Sequence, residues 1–167
     1  TVAAQVAADL LGLEPRDIEV VTTLDTHTNG WSIASGNYSS RFSGIGAAAV
    51  ARAAGLLADR IRRIAADELE CDIDDIELVD GAARVVGQPG AAVSLRRVAG
   101  RAHWNPEALP DGVEPGLRVS TFVSAPNLDP ATPDDRIATS AAHGFVVDVA
   151  MIEVDRATGR IEVIDYA

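Results

Sequence analysis

Apolar positions recur at helical spacing from the start of the chain. Val2, Val6 and Leu10 line one stripe of a helix over Val2 to Leu11, and Gly12 stands where a C′ residue belongs. Glu14-Pro15-Arg16-Asp17 reads as a turn. The pattern then shifts to β-branched residues, Ile18 to Thr23, which predicts a strand. From Leu24 to Ser43 neither period persists. Thr, Asn, Ser and Gly dominate, and the stretch predicts a loop. About 20 residues is long for a connector, and loops of that size are usually functional or disordered.

A long helix is expected next, roughly Gly46 to Glu70. Leu57, Ile61, Ile64 and Ala65 share one face, with Asp59, Arg62, Arg63 and Asp67 mostly opposite. Its first half is nearly all Ala and Gly, which lets a neighbouring backbone approach. Ile76 to Val79 and Arg84 to Val86 predict a hairpin around Asp80-Gly81. Ser94 to Ala102 predicts a short helix with Ser94 near its N-cap. Asn105 to Gly116 carries three prolines and reads as a surface loop. Leu117 to Val123 is a strand candidate, and Asn127 to Arg136 a loop rich in Pro and Asp. The chain closes with its clearest hairpin: Phe145 to Val154, a turn over Asp155 to Gly159, then Arg160 to Asp165. The expectation is one α+β domain over residues 1–167, of mixed helices and β-hairpins, with one long helix packed on a sheet.

Composition narrows the partners. The 167 residues suffice for one domain with its own core. A net charge of −11 argues against nucleic acid and anionic membrane surfaces, which demand clustered cations. No unbroken apolar run approaches the roughly 18–20 residues of a membrane span. The first residue is Thr1, so a processed or truncated N-terminus is expected. All 14 basic residues are Arg, which reads as coding bias. The single Cys71 excludes an intrachain disulfide. Glu70 and Asp72 beside it would raise its pKa, so it reads as filler.

The loop before the long helix holds the most chemistry. Gly36-Asn37-Tyr38-Ser39-Ser40-Arg41 offers backbone N–H groups, two serine hydroxyls and a guanidinium just ahead of a helix N-terminus. Such a place suits an anionic, hydrogen-bonding ligand, and Gly44 and Gly46 permit its close approach. The bare residues favour a plainer reading, with Ser39 or Ser40 capping the helix and Arg41 pairing with a carboxylate. Gly44-Ile45-Gly46 is no dinucleotide fingerprint, because no clean strand precedes it. His27, His103 and His143 lack the spacing of a helical metal site, and structural or surface roles are expected for them. Asp72, Asp74, Asp75 and Glu77 lack the glycine and terminal Glu of a calcium loop.

The order of segments resembles the molybdopterin-binding large subunit of xanthine dehydrogenases, aldehyde oxidases and aerobic carbon monoxide dehydrogenases. The resemblance is carried by Ala7 to Leu13, Leu24-Asp25-Thr26, Gly36 to Arg41, Gly46 to Val50, Glu153-Val154-Asp155 and Thr158-Gly159. Leu24 stands where the family usually has Gly, and Ser39 where Ala is common. The resemblance implies that Asn37, Tyr38, Ser39, Ser40, Arg41 and Phe42 lie against the molybdenum–molybdopterin cofactor. Ser39 would be nearest the metal, with Ser40, Arg41 and Phe42 on the pterin side. The family's catalytic Glu lies in a Gly-rich motif beyond the closing hairpin, and Glu153 is not that residue. The chain is therefore expected to be an internal fragment supplying one cofactor wall, with no catalytic residue and no metal ligand. The resemblance further implies a cytoplasmic bacterial hydroxylase acting on an aldehyde or heteroaromatic with oxygen from water. Expected partners are the remainder of its own large subunit and the iron–sulfur and flavin subunits, which carry FeS and FAD. A homo-oligomer is expected for the fragment, with no cofactor bound to it alone. Two other readings stay open: a non-catalytic binding or assembly module of this fold, and an unrelated α+β domain that binds a phosphate ester.

Overall fold

The computed structural model describes residues 1–23, 25, 27, 42–124, 130–136 and 144–167. The class is α+β, as expected. Helix α1 spans Val2–Leu11. A π-helical turn, Phe42–Ala47, runs straight into α2, Ala48–Leu69. Strands β1 (Ile76–Val79), β2 (Ala82–Val85) and β3 (Gln88–Ser94) form an antiparallel sheet in that order. Helix α3 covers Leu95–Trp104, and strands β4 (Ala150–Val154) and β5 (Ile161–Tyr166) pair as a separate ribbon.

The core lies between α2 and the three-stranded sheet, closed by α1 and α3. Ile61, Ile64, Ala65 and Ala66 of α2 meet Ile76, Ala83, Val85, Val93, Val98 and Ala102 there. The buried stripe of α1 is Ala4, Ala8 and Leu11, whereas Val2 stays half exposed. Of the expected Val2–Val6–Leu10 stripe, Leu10 packs partly buried against the core and Val2 does not. Ala4 and Ala8, with Ala54 and Ala58 of α2, are all buried, and small side chains let helix axes approach closely.

Three junctions fix the frame. Gly12 ends α1 in the left-handed region (φ 63°), and Leu13 N–H donates back to Ala8 at 2.9 Å, a Schellman closure. A Cβ at Gly12 would fall 2.2 Å from the Leu78 carbonyl oxygen, so α1 ends flush on β1. Gly81, in the β1–β2 turn, donates to the Gly12 carbonyl and accepts from Leu95 N–H, both at 2.9 Å. Asp80 and Gly81 both take positive φ, the type I′ geometry of two-residue hairpins. Ser94 caps α3, its Oγ accepting from Arg97 N–H at 3.2 Å.

Several expectations need correction. Residues 18–23 and 117–123 pair with no strand among the described residues; β-branched residues favour a strand only where a ladder partner exists. Gln88–Ser94 is a strand that Pro89-Gly90 disguises, and Pro is tolerated because β3 lies at the sheet edge. Val86 leaves β2 for the following turn, and the closing hairpin is shorter at its first strand than expected. Helical structure is already present at Phe42, four residues before Gly46. The helix from Phe42 to Leu69 is, by length and composition alone, long and apolar enough to cross a membrane. Ala and Gly give it that character, interrupted by Arg52 and Asp59, and its second half packs as the core helix.

Candidate cofactor site

Of the six residues expected at the cofactor, Phe42 is placed, and Asn37 to Arg41 lie outside the described residues. Phe42 opens the π-helical turn. Its ring lies over Gly46, where a Cβ would come within 2.9 Å of the ring. Gly46 thus makes room for Phe42, one turn ahead, to fold back on the helix. The expected close approach at this glycine is made by the chain itself. π-Turns are rare and concentrate at functional sites.

The described part of this helix begins at Phe42. Its first turn holds no acidic residue. A helix N-terminus carries partial positive charge and outward N–H donors, so a carboxylate-free first turn accepts an anion without like-charge repulsion. Upstream, the backbone N–H of His27 donates to Asp25 Oδ1 at 2.9 Å, a local Asx-type bond.

Two side chains brace the neighbouring chain, and one of them, Arg60, has no signal in the sequence. Arg60 of α2 donates to the carbonyls of Gly116 and Arg118 at 3.2 and 3.4 Å. Nε2 of His103 accepts from Leu117 N–H at 3.3 Å, which requires the ring proton on Nδ1. Together they hold residues 116–118 along α2. Leu117 and Val119 then border an apolar groove with Ala7, Leu11, Val50 and Ala53. His103 is structural, as expected, and His143 lies outside the described residues.

Burial, then Asp75 and Asp72, pushes the Cys71 thiol above its ordinary value, which disfavours a nucleophilic thiolate. Asp75, and not the expected Glu70, is the first of the two charges that raise it. Asp155 is held below the ordinary carboxylate range by the Thr158 hydroxyl and by N–H bonds from Ala157 and Thr158. The Asp155 and Thr158-Gly159 residues of the family resemblance thus build a hairpin turn. Glu153 lies on exposed strand β4.

The molybdopterin cofactor-binding domain matches this chain from residue 1 to residue 167. The chain belongs to that family. This molybdopterin cofactor-binding domain is 35% identical over 163 residues to the nicotine 6-hydroxylase large subunit of Paenarthrobacter nicotinovorans, covering 98% of the chain. It is 29% identical over 163 residues to the carbon monoxide dehydrogenase large chain of Hydrogenophaga pseudoflava, again over 98% of the chain. In each case it spans 18% of the relative's length. Among solved structures, quinoline 2-oxidoreductase from Pseudomonas putida 86 superposes with a TM-score of 0.72 at 28% identity. That match covers 99% of this chain and 19% of the other. The relatives are oxidoreductases, and the resemblance to a molybdopterin-binding large subunit is borne out.

Proposed function

We propose that residues 1–167 form one unit of a larger subunit and supply a wall of its molybdopterin site. Residues Asn37, Tyr38, Ser39, Ser40, Arg41 and Phe42 would hold the cofactor, with Ser39 nearest molybdenum. The observation that carries the reading is the family match over the whole chain, joined to a helical turn over Phe42–Ala47 without an acidic residue. The anionic phosphate and oxo groups of the cofactor suit those amides and the Arg41 guanidinium. When bound, the cofactor supplies the two-electron redox chemistry. The residues of this chain bind and orient it.

The holoenzyme in this reading is a hydroxylase of the xanthine dehydrogenase and aldehyde oxidase type. A substrate C–H becomes C–OH with oxygen from water, releasing two electrons and two protons. The electrons leave through FeS and FAD on partner subunits, and the catalytic base lies elsewhere in the large subunit. A cytoplasmic location accompanies the proposal.

The test is Arg41→Ala in the full-length subunit, purified with its partners. Molybdenum and pterin content should fall roughly tenfold if a charge-assisted bond to the cofactor is lost. Full occupancy with unchanged turnover would refute the assignment of this loop.

A further inference from the structure

The closing ribbon is two-sided in a way that the cofactor reading does not use. In the register of β4 and β5, Ile152 faces Val163 and Val154 faces Ile161. Directly opposed residues share a face, so these four form one apolar side. Ala150 and Tyr166 continue it, and the Tyr166 hydroxyl donates to Asp148 Oδ1 at 2.6 Å at its open end. The other side carries Glu153 directly opposite Glu162, with Met151 opposite Asp165. A bulge between Met151 and Ile152 absorbs one residue and keeps the two sides distinct along the ribbon.

Every residue of the ribbon is exposed. Ile152, Val154, Ile161 and Val163 are 50%, 49%, 62% and 60% accessible. A lone two-stranded hairpin is marginal in water, and a contiguous exposed apolar patch marks a surface that meets something. Like charges set directly across a ladder repel each other, and only exposure to solvent and salt screens that repulsion. Burying that pair without cations would cost several kcal/mol. The two sides therefore have opposite requirements.

We propose that the side bearing Ile152, Val154, Ile161 and Val163 is covered by an apolar surface from the remainder of the same large subunit, while the Glu153–Glu162 side stays in water. The proposal rests on the reading of this chain as part of such a subunit. Two observations select that occupant. In relatives that match 98% or 99% of this chain, the matched stretch is only 18% or 19% of one longer polypeptide, so covering protein is at hand in the same chain. A second copy is disfavoured, because each copy brings a net charge of −11 and its own acidic ribbon side.

Hydroxyl-radical footprinting of the unmutated, molybdenum-loaded full-length subunit tests this, with a synthetic peptide of residues 144–167 as the uncovered reference. Oxidation of Ile152, Val154, Ile161 and Val163 should drop roughly tenfold or more against the peptide, as for side chains in a buried interface core. Met151, on the acidic side, should stay within about threefold of it. Equal oxidation of the apolar four in subunit and peptide would overturn the proposal. So would equal protection of Met151, or protection that appears only at concentrations where subunits self-associate. Molybdenum content of the same sample reports on the cofactor reading separately.

Discussion

Gly12 is the residue at which the frame is least forgiving. The atoms a Cβ would strike belong to the backbone of β1, which cannot swing aside as a side chain could. The left-handed φ adds its own penalty for any L side chain. Gly12→Ala should therefore destabilise the domain by about 3 kcal/mol, read as a lower denaturation midpoint at unchanged m-value. Glu70 is the converse case. It closes α2 at φ 52°, with Cys71 N–H donating back to Ala66 at 3.0 Å, a glycine position held by a glutamate. Glu70→Gly should stabilise by about 1 kcal/mol, and a loss of stability would show that the Glu70 side chain does more than end a helix.

At the scale of elements, polar side chains secure the helix ends. Arg101 of α3 pairs with Asp67 and donates to the Ile64 carbonyl at 3.3 Å and the Ala108 carbonyl at 3.0 Å. It ties α2 to the turn after α3. Arg101→Met keeps the apolar stem and removes the donors, and should cost about 2 kcal/mol in thermal or chemical unfolding. The turn of the closing ribbon depends on pH. Because the Asp155 carboxyl is depressed, its support is complete above the ordinary carboxylate range and is lost as pH falls through the lowered value. Ala157 and Thr158 amide resonances should move together in that acid window, and Asp155→Asn should abolish the transition.

The same elements show what the sequence could disclose. Helix α2, α3 with its Ser94 cap and the Asp80-Gly81 hairpin are locally coded, by period, cap and turn chemistry. Strands at 18–23 and 117–123 were over-read because propensity says nothing about a partner. β3 was missed because Pro89-Gly90 looks like a break, whereas an edge strand can lack one N–H. On α1, alanines replaced the larger Val2 and Val6 in the buried stripe because a close helix pair rewards small residues. The helical turn at Phe42–Ala47 has no apolar period to mark it, since Ser43, Gly44 and Gly46 break the stripe that α2 shows. Arg60 and His103 carry no local signal, since each acts on backbone distant in sequence.

For the whole molecule, the exposed ribbon face and the edges of β4 and β5, unpaired among the described residues, bear on behaviour outside the subunit. The isolated 167-residue chain should stay monomeric at low salt, where its charge of −11 opposes a second copy, and associate only as salt screens that charge. Light scattering across a salt series checks this. A monomer at high concentration and high salt would contradict it.

The π-helical turn at Phe42–Ala47 holds about one residue more than the α-turn it replaces, and each of its residues advances the chain by less than the roughly 100° of an α-helix. Deleting Ile45 would let the turn relax to α geometry, leaving the rest of α2 in place. One residue fewer, at a larger angle per residue, closes nearly the same turn, so the chain would enter α2 from the same side. The deletion variant of the full-length subunit should keep its melting behaviour, its helical signal and its molybdenum content. The wide turn is slack in the helix, a spare link that can be removed without changing where the chain points.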